Sequence, residues 1–311
     1  MKIGLALGSG SARGWAHVGV IEALAERGIE PQVVAGTSIG ALVGAAHVSG
    51  NLQRLHEWLL TLTRMDVISL MDPSWLGGGL IEGEKLFDFF RDYMRDGRIE
   101  DLDIPFGAVA TELENGREVW LREGLLSEAV RASIALPGLF TPAKKDGKWY
   151  IDGGLVNPVP VSLCRAMGAD VVIAVNLNGD ILGRHLRHNG REREDDRSQG
   201  RLSEALIENE LWQKYSGRLR ELLGRERLPD WLDFRREGPG LFEVMATAIN
   251  IMQDRITRSR MAGDPPELLI APRLSHIQLM EFERASEAIE EGRRAVARME
   301  DAIDLLLARM K

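Results

Sequence analysis

The most constraining feature of this 311-residue chain is a short glycine-rich turn between two apolar segments. The turn, Gly36–Gly40, reads GTSIG and so carries a G-x-S-x-G pattern. The run Gln32–Ala35 before it is typical of a buried strand, and Ala41–Ala46 after it is typical of a closely packed helix. Small residues beside the serine predict a sharp, strained strand–turn–helix that exposes the Ser38 hydroxyl at a helix N-terminus. A glycine-rich turn with an incidental serine is the alternative interpretation.

A second glycine-rich turn, Gly8–Gly14, lies upstream between the apolar run Lys2–Leu7 and a helical pattern that begins at Trp15. The N–H groups of such a turn converge and bind an anion, either a nucleotide pyrophosphate or the oxyanion of a tetrahedral intermediate. A dinucleotide site needs G-x-G-x-x-G and a carboxylate at the end of the second strand. Here the spacing is G-x-G-x-x-x-G, and the second strand ends without a carboxylate. We therefore favour the oxyanion interpretation.

A nucleophilic serine needs a proton acceptor, which is usually a histidine. No histidine follows a strand end beside an acidic partner, so each is interpreted as a surface or packed residue. The six are His17, His47, His56, His185, His188 and His276. Asp152 instead stands where the strand-like run Lys148–Ile151 breaks into Gly153 and Gly154. A carboxylate there could take the serine proton directly, although a plain hairpin turn is the alternative.

Together these motifs resemble those of patatin-like phospholipases, in the same order along the chain. Two further stretches agree with that family, namely residues 131–142 (RASIALPGLFTP) and residues 156–161 (VNPVPV). The chain is most similar to compact bacterial members related to the catalytic domain of neuropathy target esterase. The resemblance covers roughly residues 1–178.

The resemblance implies a three-layer patatin-like α/β fold, with a mainly parallel sheet flanked by helices. It also implies a Ser38–Asp152 dyad that cleaves acyl esters of glycerolipids and lysolipids without a histidine, metal or cofactor. Arg13 would help to fix the first turn, and Gly10 and Ser11 are the expected central pair of the oxyanion hole. Ser9 departs from the family, which usually has a third glycine at that place. The remaining residues carried over are Gly8, Ala12, Gly14 and Ile39 for the oxyanion hole, and Gly36, Gly40, Gly153 and Gly154 as motif support.

The order of strand and helix patterns predicts how the chain is organised. Alternation to about residue 178 favours a mainly parallel sheet covered by helices. We expect a single domain over residues 1–311, interrupted by a charged and helical insertion at 179–240. That insertion is interpreted as a lid, a membrane-touching element, a dimer interface or a helix packed on its own domain. Residues 281–311 are predicted to form one long amphipathic helix that packs on the sheet or on a second subunit.

Composition limits the partners and the location. A net charge of −8 argues against nucleic acid and against docking on anionic lipid. This leaves an acyl-ester substrate, at most peripheral membrane contact, and a possible homo-oligomer. One cysteine, no metal-ligand spacing, no signal-peptide pattern and no apolar run near 20 residues predict a cytoplasmic protein. The alternative to an enzyme is a regulatory or scaffold protein on the same fold with incidental esterase activity.

Overall fold

The structure, a computed structural model, describes residues 1–70, 79–81, 97–180 and 241–310. The chain divides into two compact units, one of residues 1–184 with 246–311 and the other of residues 185–245. Almost all of the second unit lies outside the described residues, and so does nearly all of the predicted insertion at 179–240. In the described ranges, no helix is long and apolar enough to cross a membrane.

Five parallel strands form the centre of the first unit's eight-stranded sheet. They are β1 (Ile3–Leu7), β2 (Val33–Thr37), β4 (Phe106–Glu112), β9 (Val171–Val175) and β10 (Leu268–Ile270). Their order across the sheet is β10-β9-β1-β2-β4. Every residue of β1, β2, β4 and β9 is buried. Strands covered on both faces need such continuous apolar runs, because neither face meets water.

Shorter strands extend or accompany this parallel core. Three antiparallel strands complete the main sheet: β5 (Glu118–Leu121), β7 (Ala143–Lys145) and β8 (Lys148–Asp152). Strand β3 (Gly79–Ile81) pairs in parallel with β6 (Gly138–Phe140) in a separate two-stranded sheet. The sheet is therefore mainly parallel, with antiparallel strands paired to β4 and, through β8, to β7.

Helices cover both faces of the sheet. They are α1 (Ala16–Glu26), α2 (Ile39–Val48), α3 (Leu52–Thr61), α4 (Arg64–Leu70), α5 (Leu126–Ser133), α6 (Val161–Ala166), α7 (Leu241–Gly263), α8 (Ala285–Ala297) and α9 (Glu300–Met310). Leu5 and Leu7 of β1 pack into the core shared with α1, α2 and α8, whereas Ala6 packs on the opposite face with α6. Alternation along one strand thus feeds two cores, and the predicted three-layer fold is confirmed.

The prediction of one helix over residues 281–311 is wrong. A 3₁₀ turn at Phe282–Arg284 precedes α8, and the chain turns again between Ala297 and Glu300 before α9 begins. Helix α8 packs along α1, whereas α9 turns away to contact β10. The sequence pattern does not indicate this break. The buried residues Val296 and Ile303 are seven residues apart, which is about two helical turns, so the amphipathic pattern continues across the break.

Candidate active site

Strands β2 and β8 meet end to end along one edge of β4. Val109 of β4 pairs with Thr37 of β2, and the next residue, Ala110, pairs with Asp152 of β8. Strand β5 pairs with β4 over both of these residues, so it occupies the opposite edge. Because β2 runs parallel to β4 and β8 runs antiparallel, their carboxyl ends point at each other. This topology brings Ser38 and Asp152 together across 114 positions of sequence.

The Ser38 hydroxyl donates a hydrogen bond to Asp152 Oδ2 at 2.5 Å. The other carboxylate oxygen, Oδ1, accepts from the Gly154 amide at 2.7 Å. Asp152 is fully buried, and this burial raises its pKa from 3.8 to about 6, although the hydrogen bonds from Ser38 and Gly154 oppose the rise. A carboxylate with a pKa near 6 is largely ionised at neutral pH yet accepts a proton readily.

Ser38 has a strained backbone, with φ 57° and ψ −126°. Such a positive φ is unfavourable for a residue with a side chain and persists only where its surroundings hold it. The Ser38 N–H donates to Ser133 Oγ at 2.8 Å, and the Ser133 hydroxyl donates to the Val109 carbonyl at 2.6 Å. Ser133 is fully buried at the end of α5. One hydroxyl therefore ties the serine turn to strand β4.

The glycines beside Ser38 and Asp152 sit where backbone segments touch. A Cβ on Gly40 would lie 2.2 Å from the Leu7 carbonyl oxygen, so α2 can begin directly against the end of β1 only with glycine there. Gly36 lies within β2, and Gly153 and Gly154 form the 3₁₀ turn that follows Asp152. All four predicted supporting glycines thus surround the serine and the aspartate.

Most amides of the Gly8–Gly14 loop are already engaged. Four of them bond to carbonyl oxygens: Gly8 to Val175 (3.1 Å), Ser9 to Pro158 (2.8 Å), Ala12 to Leu279 (3.2 Å) and Arg13 to Gly10 (3.3 Å). Among the described residues, the amides of Gly10, Ser11 and Ile39 have no acceptor, and these residues line the same pocket as Ser38. Ser11, rather than Ser9, has the left-handed backbone, with φ 51°. Gly10, Ser11 and Ile39 are the amides available to an oxyanion.

Buried side chains fix this loop from behind. Arg13 Nε donates to the Ile277 carbonyl at 2.9 Å, and its Nη1 donates to Asn178 Oδ1 at 3.3 Å. His17 Nε2 lies 2.8 Å from the Gly8 carbonyl oxygen. Burial lowers the pKa of His17 to about 4, so the ring is neutral at pH 7 and its Nε2–H donates to that carbonyl. Both side chains therefore support the loop.

The histidines do not reach the serine. Of the four that the structure describes, none hydrogen-bonds to Ser38. His56 Nδ1 lies 2.6 Å from Glu22 Oε1, and His276 Nε2 lies 2.7 Å from Glu287 Oε1. The remaining two, His185 and His188, lie outside the described residues.

An apolar pocket opens beside Ser38. Its empty volume is about 910 Å³, which includes the space open to solvent at its mouth. Apolar side chains from distant parts of the chain dominate its walls, among them Trp58, Leu62, Leu139, Phe140, Met280 and Phe282. Walls of this apolar character are typical of a binding site for a ligand with an apolar part.

Comparison with known proteins agrees with this geometry. The sequence model of the family Patatin, described as patatin-like phospholipase, matches residues 5–165. An uncharacterized NTE family protein of Mycobacterium tuberculosis is 36% identical over 335 residues, which cover 98% of this chain and 92% of that protein. The chain belongs to the patatin-like phospholipase family. The predicted relation to NTE-type members is confirmed, and the chain is a lipid esterase of the patatin class.

Other similar proteins share only part of their length with this patatin-like chain. Patatin-like phospholipase domain-containing protein 7 of Rattus norvegicus is 36% identical over 182 residues, which cover 56% of this chain and 13% of that protein. Among solved structures, VipD from Legionella pneumophila has a TM-score of 0.41 and 13% identity, covering 97% of this chain and 66% of that one.

Some residues of this patatin site were not singled out from the sequence. Ser133 lies inside the recognised stretch 131–142, but nothing in that stretch indicates which residue holds the serine turn. Asn178 follows β9 and so lies at the same sheet edge as Ser38, a position that a strand-end search could have found. Gln253 lies in α7, beyond the part of the chain that the family model matches.

Proposed function

We propose that the protein hydrolyses carboxylic esters of lipids, of the phospholipid and lysophospholipid class, with Ser38 as nucleophile and Asp152 as general base. The observation that carries this proposal is the buried hydrogen bond from Ser38 Oγ to Asp152 Oδ2, together with the apolar pocket that Ser38 lines. A serine hydroxyl becomes nucleophilic when an adjacent base removes its proton.

In the first half of the reaction, the proton of Ser38 moves to Asp152 as Oγ attacks the ester carbonyl carbon. The carbonyl oxygen becomes an oxyanion that the amides of Gly10, Ser11 and Ile39 stabilise. Such donors contribute about 3 kcal/mol each in well-studied hydrolases. As the intermediate collapses, the bond to the alcohol oxygen breaks, and that oxygen takes the proton from Asp152. An acyl group remains on Ser38.

In the second half, water attacks the acyl carbon while Asp152 accepts a proton from that water. Collapse of the second intermediate releases the fatty acid and returns the proton to Ser38 Oγ. The same carboxylate therefore acts as base and then acid in each half, and no histidine takes part.

The chemistry of Cys164 supports the proposed location and excludes this thiol as a nucleophile. Cys164 is buried, and burial raises its pKa to about 12, so its thiol stays protonated and unreactive. A single reduced thiol fits the cytoplasm, which is the proposed location. The net charge of −8 disfavours anionic lipid surfaces, so the proposed membrane contact is peripheral at most.

A fluorophosphonate probe tests the nucleophile directly. The wild-type protein is expected to be labelled once, at Ser38, and Ser38→Ala is expected to be folded but unlabelled. Ser49→Ala, at the other end of α2, is a matched control that retains labelling. Labelling of Ser38→Ala at the wild-type rate would contradict the proposal.

A further inference from the structure

Polar side chains also line the apolar pocket, and the proposed reaction does not use them. Its polar members beside Ser38 are Ser9, Ser11, Asn250 and Gln253. None of the described lining residues carries a charge. Gln253 is only 3% exposed, although it lies on α7, about a hundred residues after Asp152. A buried amide in a pocket wall holds its position only if its hydrogen bonds are satisfied.

A directed chain of hydrogen bonds fixes the orientation of the Gln253 amide. Arg13 can only donate, so Asn178 presents its oxygen to Arg13 and its Nδ2 to Gln253 Oε1, at 3.0 Å. The Ser9 carbonyl, which can only accept, lies 3.5 Å from the same Nδ2 and requires the same orientation. Gln253 therefore turns its Nε2 toward Ser9 Oγ, which accepts at 3.2 Å.

This direction leaves the hydroxyl hydrogen of Ser9 available. A hydroxyl has one donor and two acceptor positions, and Gln253 occupies an acceptor position. Among the described residues, Ser9 Oγ accepts this bond and donates none. Ser9 is 4% exposed and lines the pocket, so a group in the pocket is its natural acceptor.

Ser9 and Gln253 lie close to Asp152, the proposed base, because Gly154 between them has no side chain. A Cβ on Gly154 would lie 2.4 Å from Gln253 Nε2, 2.9 Å from Asp152 Oδ1 and 2.9 Å from Ser9 Oγ. These three atoms therefore lie close together around Gly154. In the proposed reaction, the alcohol oxygen must approach Asp152 to take its proton. Ser9 and Gln253 consequently face the alcohol half of the ester, whereas the apolar walls face the acyl half.

We propose that Gln253 and Ser9 form a binding site for an uncharged hydrogen-bonding group, such as a free hydroxyl of the alcohol, next to the scissile ester bond. This inference rests on the proposed function. The pair thereby selects esters of polyols over esters of simple alcohols. The uncharged wall suits a hydroxyl rather than a phosphate, because a bound phosphate usually meets a cation or several amides. Arg13 and Asn178 act through Gln253 and are positioning residues.

The test compares two esters that share one acyl chain, a 1-monoacylglycerol and the matching propyl ester, in the same detergent. The quantity measured is the ratio of kcat/KM for the glycerol ester to that for the propyl ester. Gln253→Leu is expected to lower this ratio about tenfold, since one hydrogen bond made only by the polyol is lost. Ser9→Gly is expected to lower it similarly, and the double variant no further, because the two residues act as one unit.

Gln53→Leu, on the exposed face of α3, is the matched control and is expected to keep the wild-type ratio. Fluorophosphonate labelling of Ser38 shows that each variant is folded. If Gln253→Leu and Ser9→Gly slow both esters equally, the selectivity proposal is overturned while the proposed function stands. If the wild-type protein cleaves neither ester and Ser38 stays unlabelled, the proposed function is overturned, and this inference with it.

Discussion

Two turns at one sheet edge each hold a serine at positive φ, Ser38 at 57° and Ser11 at 51°, but different parts of the chain anchor them. The Ser38 turn is tied by the hydroxyl of Ser133, inside the region that the family model matches. The Ser11 loop is tied from beyond that region, because the carbonyls of residues 277–279 accept from Arg13 and Ser11 side chains. The proposed nucleophile is therefore held by a residue within the region that the family model matches, whereas the proposed oxyanion loop is held by the C-terminal part of the chain.

The largest expected effect comes from removing the negative charge of the Asp152 carboxylate beside Ser38. Asp152→Asn is expected to lower kcat/KM about 10⁴-fold or more, because the amide cannot accept the serine proton. The same change should stabilise the fold at pH 8. Burial penalises the ionised carboxylate, and the rise in pKa from 3.8 to about 6 corresponds to about 3 kcal/mol.

The size of this stability difference depends on pH. A carboxyl with a raised pKa contributes most to stability below pH 4, and that contribution is lost as pH rises through 6. Urea unfolding of both proteins should therefore show a gain for Asp152→Asn at pH 8 that shrinks toward pH 4. An equal difference at both pH values would mean that Asp152 is not a strained, buried carboxylate.

The second prediction breaks the remote anchor of the oxyanion loop. Arg13→Met removes the bonds to Ile277 and Asn178 and should lower kcat about 100-fold, the effect of losing one oxyanion donor. Arg255→Met, at an exposed arginine on α7, is the matched control. Steady-state kinetics should show the loss in kcat rather than KM. A rise in KM alone would place Arg13 in substrate binding instead.

The third prediction concerns Ser133, which anchors the Ser38 turn. Ser133→Ala leaves the Ser38 N–H and the Val109 carbonyl without their partner, which should cost about 1–3 kcal/mol of unfolding free energy. The rate of fluorophosphonate labelling should fall about tenfold as the turn relaxes.

If the two anchors are independent, the stability losses of Ser133→Ala and Arg13→Met should add within about 0.5 kcal/mol in the double variant. A clear departure from additivity would show that the two turns form one unit.

The same contrast explains what the sequence could and could not predict. The mainly parallel sheet and the exposed position of Ser38 follow from the apolar runs and the glycines at their ends. The three-layer fold and the pairing of Ser38 with Asp152 follow only from the resemblance to patatin-like phospholipases, because β8 is antiparallel and the rule for parallel strand ends does not place Asp152. The anchors follow from neither, because Ser133, Asn178 and Gln253 are ordinary polar residues whose importance arises only when distant segments meet. The break between α8 and α9 was missed because heptad-spaced apolar residues continue through it.

The smallest expected effect is that of replacing His17, which contacts the Gly8–Gly14 loop, and it tests whether Asp152 or His17 is the base. With a pKa of about 6 for Asp152, kcat/KM should fall about tenfold for each pH unit well below 6, because only the ionised carboxylate takes the serine proton. A catalytic histidine would titrate in the same range, so the pH profile alone does not distinguish them. His17 is already neutral above pH 4, since burial lowers its pKa. His17→Gln should therefore change kcat/KM less than about tenfold and leave the midpoint near pH 6. Loss of the acid limb in that variant would make His17, rather than Asp152, the titrating base.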